Sequence, residues 1–245
     1  MSGGCWAVVP AGGVGRRMGA GVPKQYLPLA GRPVIEHTLE RLAAEPRVAG
    51  IAVAVAEGDA RWARVRPPAG ATVLTAPAGA ERPWSVLAAL RRLAAEGVPE
   101  AAWVLVHDAV RPCVRTADVT RLIDTLADDP VGGLLAVPVR DTLKAVADDG
   151  RVRETVPRER LWHALTPQMF RLGALAEALE RALADGAAVT DDAAAMERAG
   201  HRPRVVEGSA DNIKITRPED LALAELLLAR QRAGGAPRLG EAGEG

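Results

Sequence analysis

The chain holds only two cysteines, Cys5 and Cys113, only three lysines, and as many acidic as basic residues, so its formal net charge is zero. Two isolated thiols make no disulfide framework, and a reduced, cytoplasmic setting is the default expectation. Neutrality argues against bulk binding to nucleic acid or to a membrane surface, so any anion site must be a local concentration of charge. No apolar run approaches the roughly 18 residues that a membrane span needs. The N-terminus lacks a basic region followed by an apolar stretch, so no secretory leader is expected. No internal repeat is visible, no linker divides the body, and no Ser-His-Asp or Cys-His set stands out for nucleophilic catalysis.

What is present is a 245-residue chain with 48% hydrophobic content, enough to bury a core of its own as one α/β domain. Of its 31 basic residues 28 are arginine. A bias towards alanine, glycine and arginine turns surface lysines into arginines. A lysine kept against it is a candidate for work that needs a compact point charge on a flexible stem. The three are Lys24, Lys144 and Lys214.

The stretch WAVVPAGGVGRRMGAGVPK, Trp6–Lys24, organises the chain. Trp6–Val9 reads as a buried strand ended by Pro10, which cannot donate to a central ladder. Gly12, Gly13, Gly15, Gly19 and Gly21 follow, interleaved with Arg16, Arg17 and Lys24. Such a turn lets backbone N–H groups approach a phosphate while the cations offset its charge. It lacks the Gly-Lys-Ser/Thr of a P-loop, and Met18 stands where a dinucleotide fingerprint needs its third glycine. Two arginines and a lysine point to a highly charged ligand such as a nucleoside triphosphate.

Further along, helical spacing predicts a helix over 33–45, and apolar runs predict strands over 51–55, 72–75, 103–106, 133–139 and 204–206. A short helix is expected over 59–66, and longer ones over 86–96, 116–127, 172–184, 191–199 and 218–231. Ser85 precedes one helix and reads as its N-cap, or with Gly79 as a contact to a base or ribose. Asp108 follows the 103–106 strand, at the carboxyl end where open α/β sheets bind ligands. It is a candidate hard ligand for Mg²⁺ on a triphosphate, or a partner for Arg111. His107 reads as a satisfied strand-end histidine, and Cys113 as structural. Arg140–Arg160, broken by Asp148-Asp149-Gly150, is too polar to pack in a core. It is expected to project as an arm, and arms that pair across a two-fold axis imply a homodimer. Leu161–Gln168 is expected to lead the chain back to the body. Val189-Thr190-Asp191-Asp192 offers a capping hydroxyl or carboxylate, with Thr190 the expected cap. Asp211–Thr216 is another loop carrying a carboxylate and a rare lysine. The expected fold is α/β, a doubly wound, mainly parallel sheet occupying 1–233, with the arm at about 140–160 and a disordered tail over 234–245.

Together the motifs resemble those of the 2-C-methyl-D-erythritol 4-phosphate cytidylyltransferase family of the non-mevalonate isoprenoid pathway. The carriers are PAGGVGRRM…PKQYL at Pro10–Leu27, GAERPWSV at Gly79–Val86 and VHDAVRP at Val106–Pro112. VRDTLK at Val139–Lys144, LWHALTPQ at Leu161–Gln168 and DNIKITRPED at Asp211–Asp220 complete the set. The resemblance covers roughly Cys5 to Gln231 and implies a Rossmann-like nucleotidyltransferase fold, Mg²⁺, CTP and methylerythritol phosphate as substrates, and a homodimer. It implies that Arg17 and Lys24 stabilise charge on the α-phosphate. Arg158 and Lys214 would position the acceptor phosphate, with Arg158 reaching the neighbouring subunit's site from the arm. Asp108, Arg111, Thr142 and Thr190 would surround the acceptor. Gly79, Ser85 and the backbone of Ala11, Gly12, Gly13 and Gly15 would hold the nucleotide. The chain departs from the family pattern at Gly12, where alanine is frequent, and at Pro83-Trp84, usually polar.

Overall fold

The computed structural model of the protein describes residues 4–13 and 22–234. Gly15, Arg17 and the tail beyond Gly234 lie outside the described residues.

A seven-stranded sheet organises the chain. Its strands are β1 (Cys5–Pro10), β4 (Val48–Val55), β5 (Val73–Pro77), β6 (Trp103–Val106), β7 (Gly132–Pro138), β10 (Trp162–Arg171) and β11 (Arg204–Glu207), in spatial order β11-β7-β10-β6-β1-β4-β5. Every neighbouring pair is parallel except those of β10, which runs antiparallel between β6 and β7. The period-2 alternation of a strand divides β1 and β4 between two cores. Ala7, Val9, Ile51 and Val53 pack against Ile35, Leu39 and Leu42 of α1 (Val34–Ala43). Val8, Ala52 and Ala54 face the other way, onto α2 (Arg82–Ala95) and α4 (Leu172–Ala184). α3 (Thr116–Leu126) covers Leu105, Leu135 and Met169 on the α1 side. Helices thus lie on both faces of a mainly parallel sheet, as the strand–helix alternation predicts.

Four expectations need correction. The segment after Leu161 does more than return the chain: it becomes a ten-residue strand in the centre of the sheet, with Phe170 and Met169 fully buried. A proline cannot donate to a central ladder, but the register is irregular between Ala164 and Gln168, which is where Pro167 is accommodated. The 59–66 helix is only a 3-10 turn at Trp62–Arg64. Ser85 is not an N-cap: α2 starts earlier, with Glu81 as its cap and Pro83 in its first turn. Thr190 is not a cap either, because the Asp191 carboxylate accepts from the N–H of Ala194 at 2.9 Å at the head of α5 (Asp192–Arg198).

The expected arm is a hairpin of β8 (Leu143–Val146) and β9 (Val152–Val156), forming its own two-stranded sheet with Gly150 in the left-handed region. Val146 and Val152 on it are exposed. A smaller ribbon, β2 (Pro28–Leu29) with β3 (Arg32–Pro33), follows the glycine-rich segment and packs under α6 (Glu219–Arg232).

His107 ties the end of β6 to β10. Its Nδ1 lies 2.8 Å from Thr166 Oγ1 and its Nε2 3.1 Å from the Arg111 carbonyl oxygen, so both ring nitrogens are engaged. Burial pushes this imidazole down from 6.5 to about 4, although its hydrogen bonds and Asp108 pull the other way. Between about 4 and 6.5 the unfolded chain therefore takes up a proton that the native state refuses. Native stability from this group is complete above the upper value and is lost as pH falls towards the lower one. The stability advantage of the unmodified chain over His107→Gln, measured by urea unfolding, is expected to shrink by up to about 3 kcal/mol across that window. A difference that stays constant with pH would mean that His107 is not held neutral.

Candidate active site

At the carboxyl ends of β1, β5 and β6 lies a cavity of about 190 Å³, bounded by Ala11–Gly13, Lys24, Gln25, Gly79–Arg82, Ser85, Asp108–Val110 and Lys214. A second cavity of about 270 Å³ adjoins it, bounded by Arg82, Asp108, Arg111, Leu165, Thr166, Gln168, Thr190, Asp191 and Lys214. Arg82, Asp108 and Lys214 belong to both, so the two form one cleft with a charged junction. The expected nucleotide residues Ala11, Gly12, Gly13, Gly79 and Ser85 line the first cavity together with Lys24. Asp108, Arg111, Thr190 and Lys214 line the second. Thr142 and Arg158 line neither: both are exposed on or beside the arm, where the Arg158 guanidinium donates to the Arg140 carbonyl. Lys144 is also on the arm, donating to Thr155 Oγ1 across the hairpin. It therefore stands apart from the other two lysines.

Local contacts explain how these groups are placed. Gln25, buried beneath the first loop, donates to the carbonyls of Ala11 at 2.6 Å and Gly13 at 3.2 Å, so the turn carrying Lys24 is clamped to the glycines. The hydroxyl of Ser85 accepts from the N–H of Gly79 at 3.2 Å and donates to the Glu81 carbonyl at 3.2 Å, bracing the turn before α2. The loop bearing Lys214 is held from below. Asn212 donates to the Thr166 carbonyl at 2.6 Å, Arg111 donates to the Asn212 carbonyl at 2.7 Å, and the N–H of Ile215 donates to Val110 at 2.9 Å. Lys24 Nζ lies 3.5 Å from the Ile215 carbonyl, so both lysines converge on one side of the cleft.

Asp108 is the electrostatic centre. It is 6% exposed, and its Oδ1 receives Arg82 Nε at 2.9 Å while Oδ2 faces Lys214 Nζ at 2.8 Å and Arg111 Nε at 3.5 Å. Burial by itself would raise its pKa, but the charges of Arg82, Lys214 and Arg111 outweigh that and hold the carboxyl well below the usual range. Arg82 is engaged again on its other side, where Asp192 receives Nη1 at 3.1 Å and Nη2 at 2.8 Å as a bidentate pair. Burial would lower the Arg82 pKa, and the two carboxylates reverse that. Arg82 and Gln25 have no role legible in the sequence beyond their place inside the GAERPWSV and PKQYL motifs.

Among the described residues no three His, Cys, Asp or Glu side chains gather as a metal cage. Asp211 is held by Arg115 and by Arg230 at 3.0 Å, which leaves it a bracing role between α3 and α6. Asp108 offers a hard oxygen at the cleft junction. An ionised carboxylate has about four lone-pair positions, and three cations contact it here. The donor set therefore suits a cation carried largely by substrate phosphates, the habit of Mg²⁺, and not a dedicated protein cage.

The family model IspD, 2-C-methyl-D-erythritol 4-phosphate cytidylyltransferase, matches residues 5–230. A 2-C-methyl-D-erythritol 4-phosphate cytidylyltransferase of Ectopseudomonas mendocina is 56% identical over 217 residues, covering 89% of this chain and 92% of the relative. One from Pseudomonas aeruginosa is 56% identical over 216 residues, covering 88% and 92%. The crystal structure of the Francisella tularensis enzyme of that name superposes with a TM-score of 0.78 at 33% identity, over 91% of this chain and 99% of that one. The fold, the paired cavities and these likenesses agree: the chain belongs to the 2-C-methyl-D-erythritol 4-phosphate cytidylyltransferase family.

Proposed function

We propose that the chain transfers the cytidylyl group of CTP to 2-C-methyl-D-erythritol 4-phosphate. The products are 4-diphosphocytidyl-2-C-methyl-D-erythritol and pyrophosphate, and the step belongs to isoprenoid precursor biosynthesis. The observation that carries this reading is the cleft itself, a glycine-walled cavity and a more polar one meeting at Asp108, Arg82 and Lys214. The nucleotide occupies the first and the acceptor the second. An oxygen of the acceptor phosphate attacks the α-phosphorus in line, and the bond from that phosphorus to pyrophosphate breaks. The nucleophile is already ionised near neutrality, so no strong general base is required. This accords with His107, which is buried, neutral and engaged at both nitrogens.

Catalysis on this reading is positioning plus stabilisation of charge. Lys24, with Arg17, meets charge developing on the α-phosphate. Lys214, Arg111 and Thr190 hold the acceptor. Asp108 is the residue that would hold Mg²⁺ bound with the triphosphate, and the ion would supply charge neutralisation there. The chain works as a homodimer through the 140–160 arm, and Thr142 and Arg158 complete the neighbouring subunit's acceptor site. The exposed apolar residues on the hairpin and the position of Arg158 outside both cavities support that. A cytoplasmic setting suits the two buried free thiols, Cys5 and Cys113.

Pyrophosphate release with CTP, Mg²⁺ and methylerythritol phosphate tests the whole reading, run beside ribitol 5-phosphate and the other nucleoside triphosphates. Selective turnover of methylerythritol phosphate with CTP is expected; turnover with ribitol 5-phosphate alone would transfer the mechanism to another acceptor. Lys24→Ala is expected to lower kcat by roughly 10²–10³, the usual cost of losing one preorganised donor. A near-normal kcat with only KM altered would remove Lys24 from the chemistry. Arg158→Ala subunits mixed with Lys24→Ala subunits are expected to recover about a quarter of the unmodified activity. Half of the dimers are then mixed, and each mixed dimer has one complete site. No recovery after full subunit exchange would show that Arg158 serves its own chain.

A further inference from the structure

Asp192 lines neither cavity and is completely buried, yet both of its oxygens engage Arg82, one of the three side chains that border both cavities. The ion pairs continue from there. Asp192 grips the two terminal nitrogens of Arg82, Arg82 Nε pins Oδ1 of Asp108, and Oδ2 of Asp108 holds Lys214 Nζ. We propose that Asp192 and Arg82 are positioning residues that set where Lys214 stands when it meets the acceptor phosphate. This rests on the reading of the second cavity as the acceptor site.

The physical case starts at the far end. Lys214 is 41% exposed on a flexible stem with many rotamers, so its ammonium needs an anchor. Asp108 is that anchor, but a carboxylate turns about its own axis unless its other oxygen is fixed. Arg82 fixes it through Nε. A guanidinium is planar and rigid, so a carboxylate gripping Nη1 and Nη2 determines where Nε points. Asp192 is in turn immovable. It begins α5, whose next residue, Ala193, donates its N–H to the buried Gln168 Oε1 at 2.7 Å. The head of α5 also carries the Thr190–Asp191 wall of the second cavity. One rigid element therefore sets both that wall and, through two intervening side chains, the cation opposite it. A structural ion pair alone would not need its guanidinium to border both cavities.

The test is Asp192→Asn, which keeps the volume and removes one acceptor of the fork. Because the chain has only three lysines, ¹³C,¹⁵N-lysine labelling yields a spectrum in which each side chain is assigned by single substitution. Asp192→Asn is expected to move the Lys214 side-chain signal and leave that of Lys144, on the arm, in place. It is also expected to raise KM for methylerythritol phosphate by about tenfold, an effect that shrinks below about twofold in the Lys214→Ala background. An unmoved Lys214 signal, or equal penalties with and without Lys214, would overturn the relay. If Asp192→Asn fails to fold, as a displaced Lys144 signal and circular dichroism would reveal, Arg82→Lys in the same kinetic cycle decides the matter. Unmodified protein that turns over no methylerythritol phosphate would count against the acceptor reading instead, while the Lys214 signal still reports on the relay.

Discussion

A carboxylate taken out of water costs several kcal/mol unless cations compensate it, and Asp108 sits at the end of a central strand with almost no exposure. Three segments far apart in the chain answer that need: Arg82 from the first turn of α2, Arg111 from the turn after β6, and Lys214 from the loop after β11. Their convergence brings the walls of two cavities to one point. The geometry of the cleft is thus a consequence of neutralising one buried charge, and the strand order β10-β6-β1 decides where that charge lies.

The same constraint explains how a neutral protein can hold polyanions. Charge is balanced over the chain but not within the cleft, where the four cations Lys24, Arg82, Arg111 and Lys214 outnumber the three carboxylates Glu81, Asp108 and Asp191. Arginine and lysine divide the work by geometry. Arginine forks brace carboxylates where a fixed plane is useful, as Arg82 does with Asp192, Arg115 and Arg230 with Asp211, and Arg47 with Glu45. On the proposed reading the two lysines at the cleft present compact charges on stems that adjust to a ligand, a role that does not extend to Lys144 on the arm.

Much of this was legible because it is periodic. The strand 103–106 was placed to the residue, and β1, β4 and β7 were found from apolar runs, since strands buried on both faces need no alternation. β10 was not legible. Trp162–Gln168 mixes polar residues with a proline, and only the sheet supplies the neighbours that bury Phe170 and Met169. Asp108 and Lys24 are legible at the cleft from their places after strands, whereas Arg111, Thr190 and Lys214 are placed there by the family resemblance. Arg82 was missed because one arginine among 28 carries no signal until its partners are known, and Asp192 is 110 residues away. Of the two readings of Ser85, the cap fails because Pro83, a residue suited to a helix's first turn, marks an earlier start, while Ser85 does line the first cavity.

The departures from the family pattern have a steric logic that runs between loops. A Cβ on Gly12 would stand 2.2 Å from the Ala78 methyl, so the first loop and the turn after β5 touch with no room for a side chain between them. The methyl absent at Gly12 is present on the facing turn, at Ala78. Gly79 is likewise closed over by Trp84, whose Cβ would be 2.2 Å from an added methyl. On the proposed reading the base therefore meets backbone N–H and C=O groups held at van der Waals contact, and such groups cannot adapt by changing rotamer. Pro83 and Trp84 can then alter base selectivity only by shifting Gly79. The hydrogen bond from the Gly79 N–H to Ser85, the residue after Trp84, resists that shift.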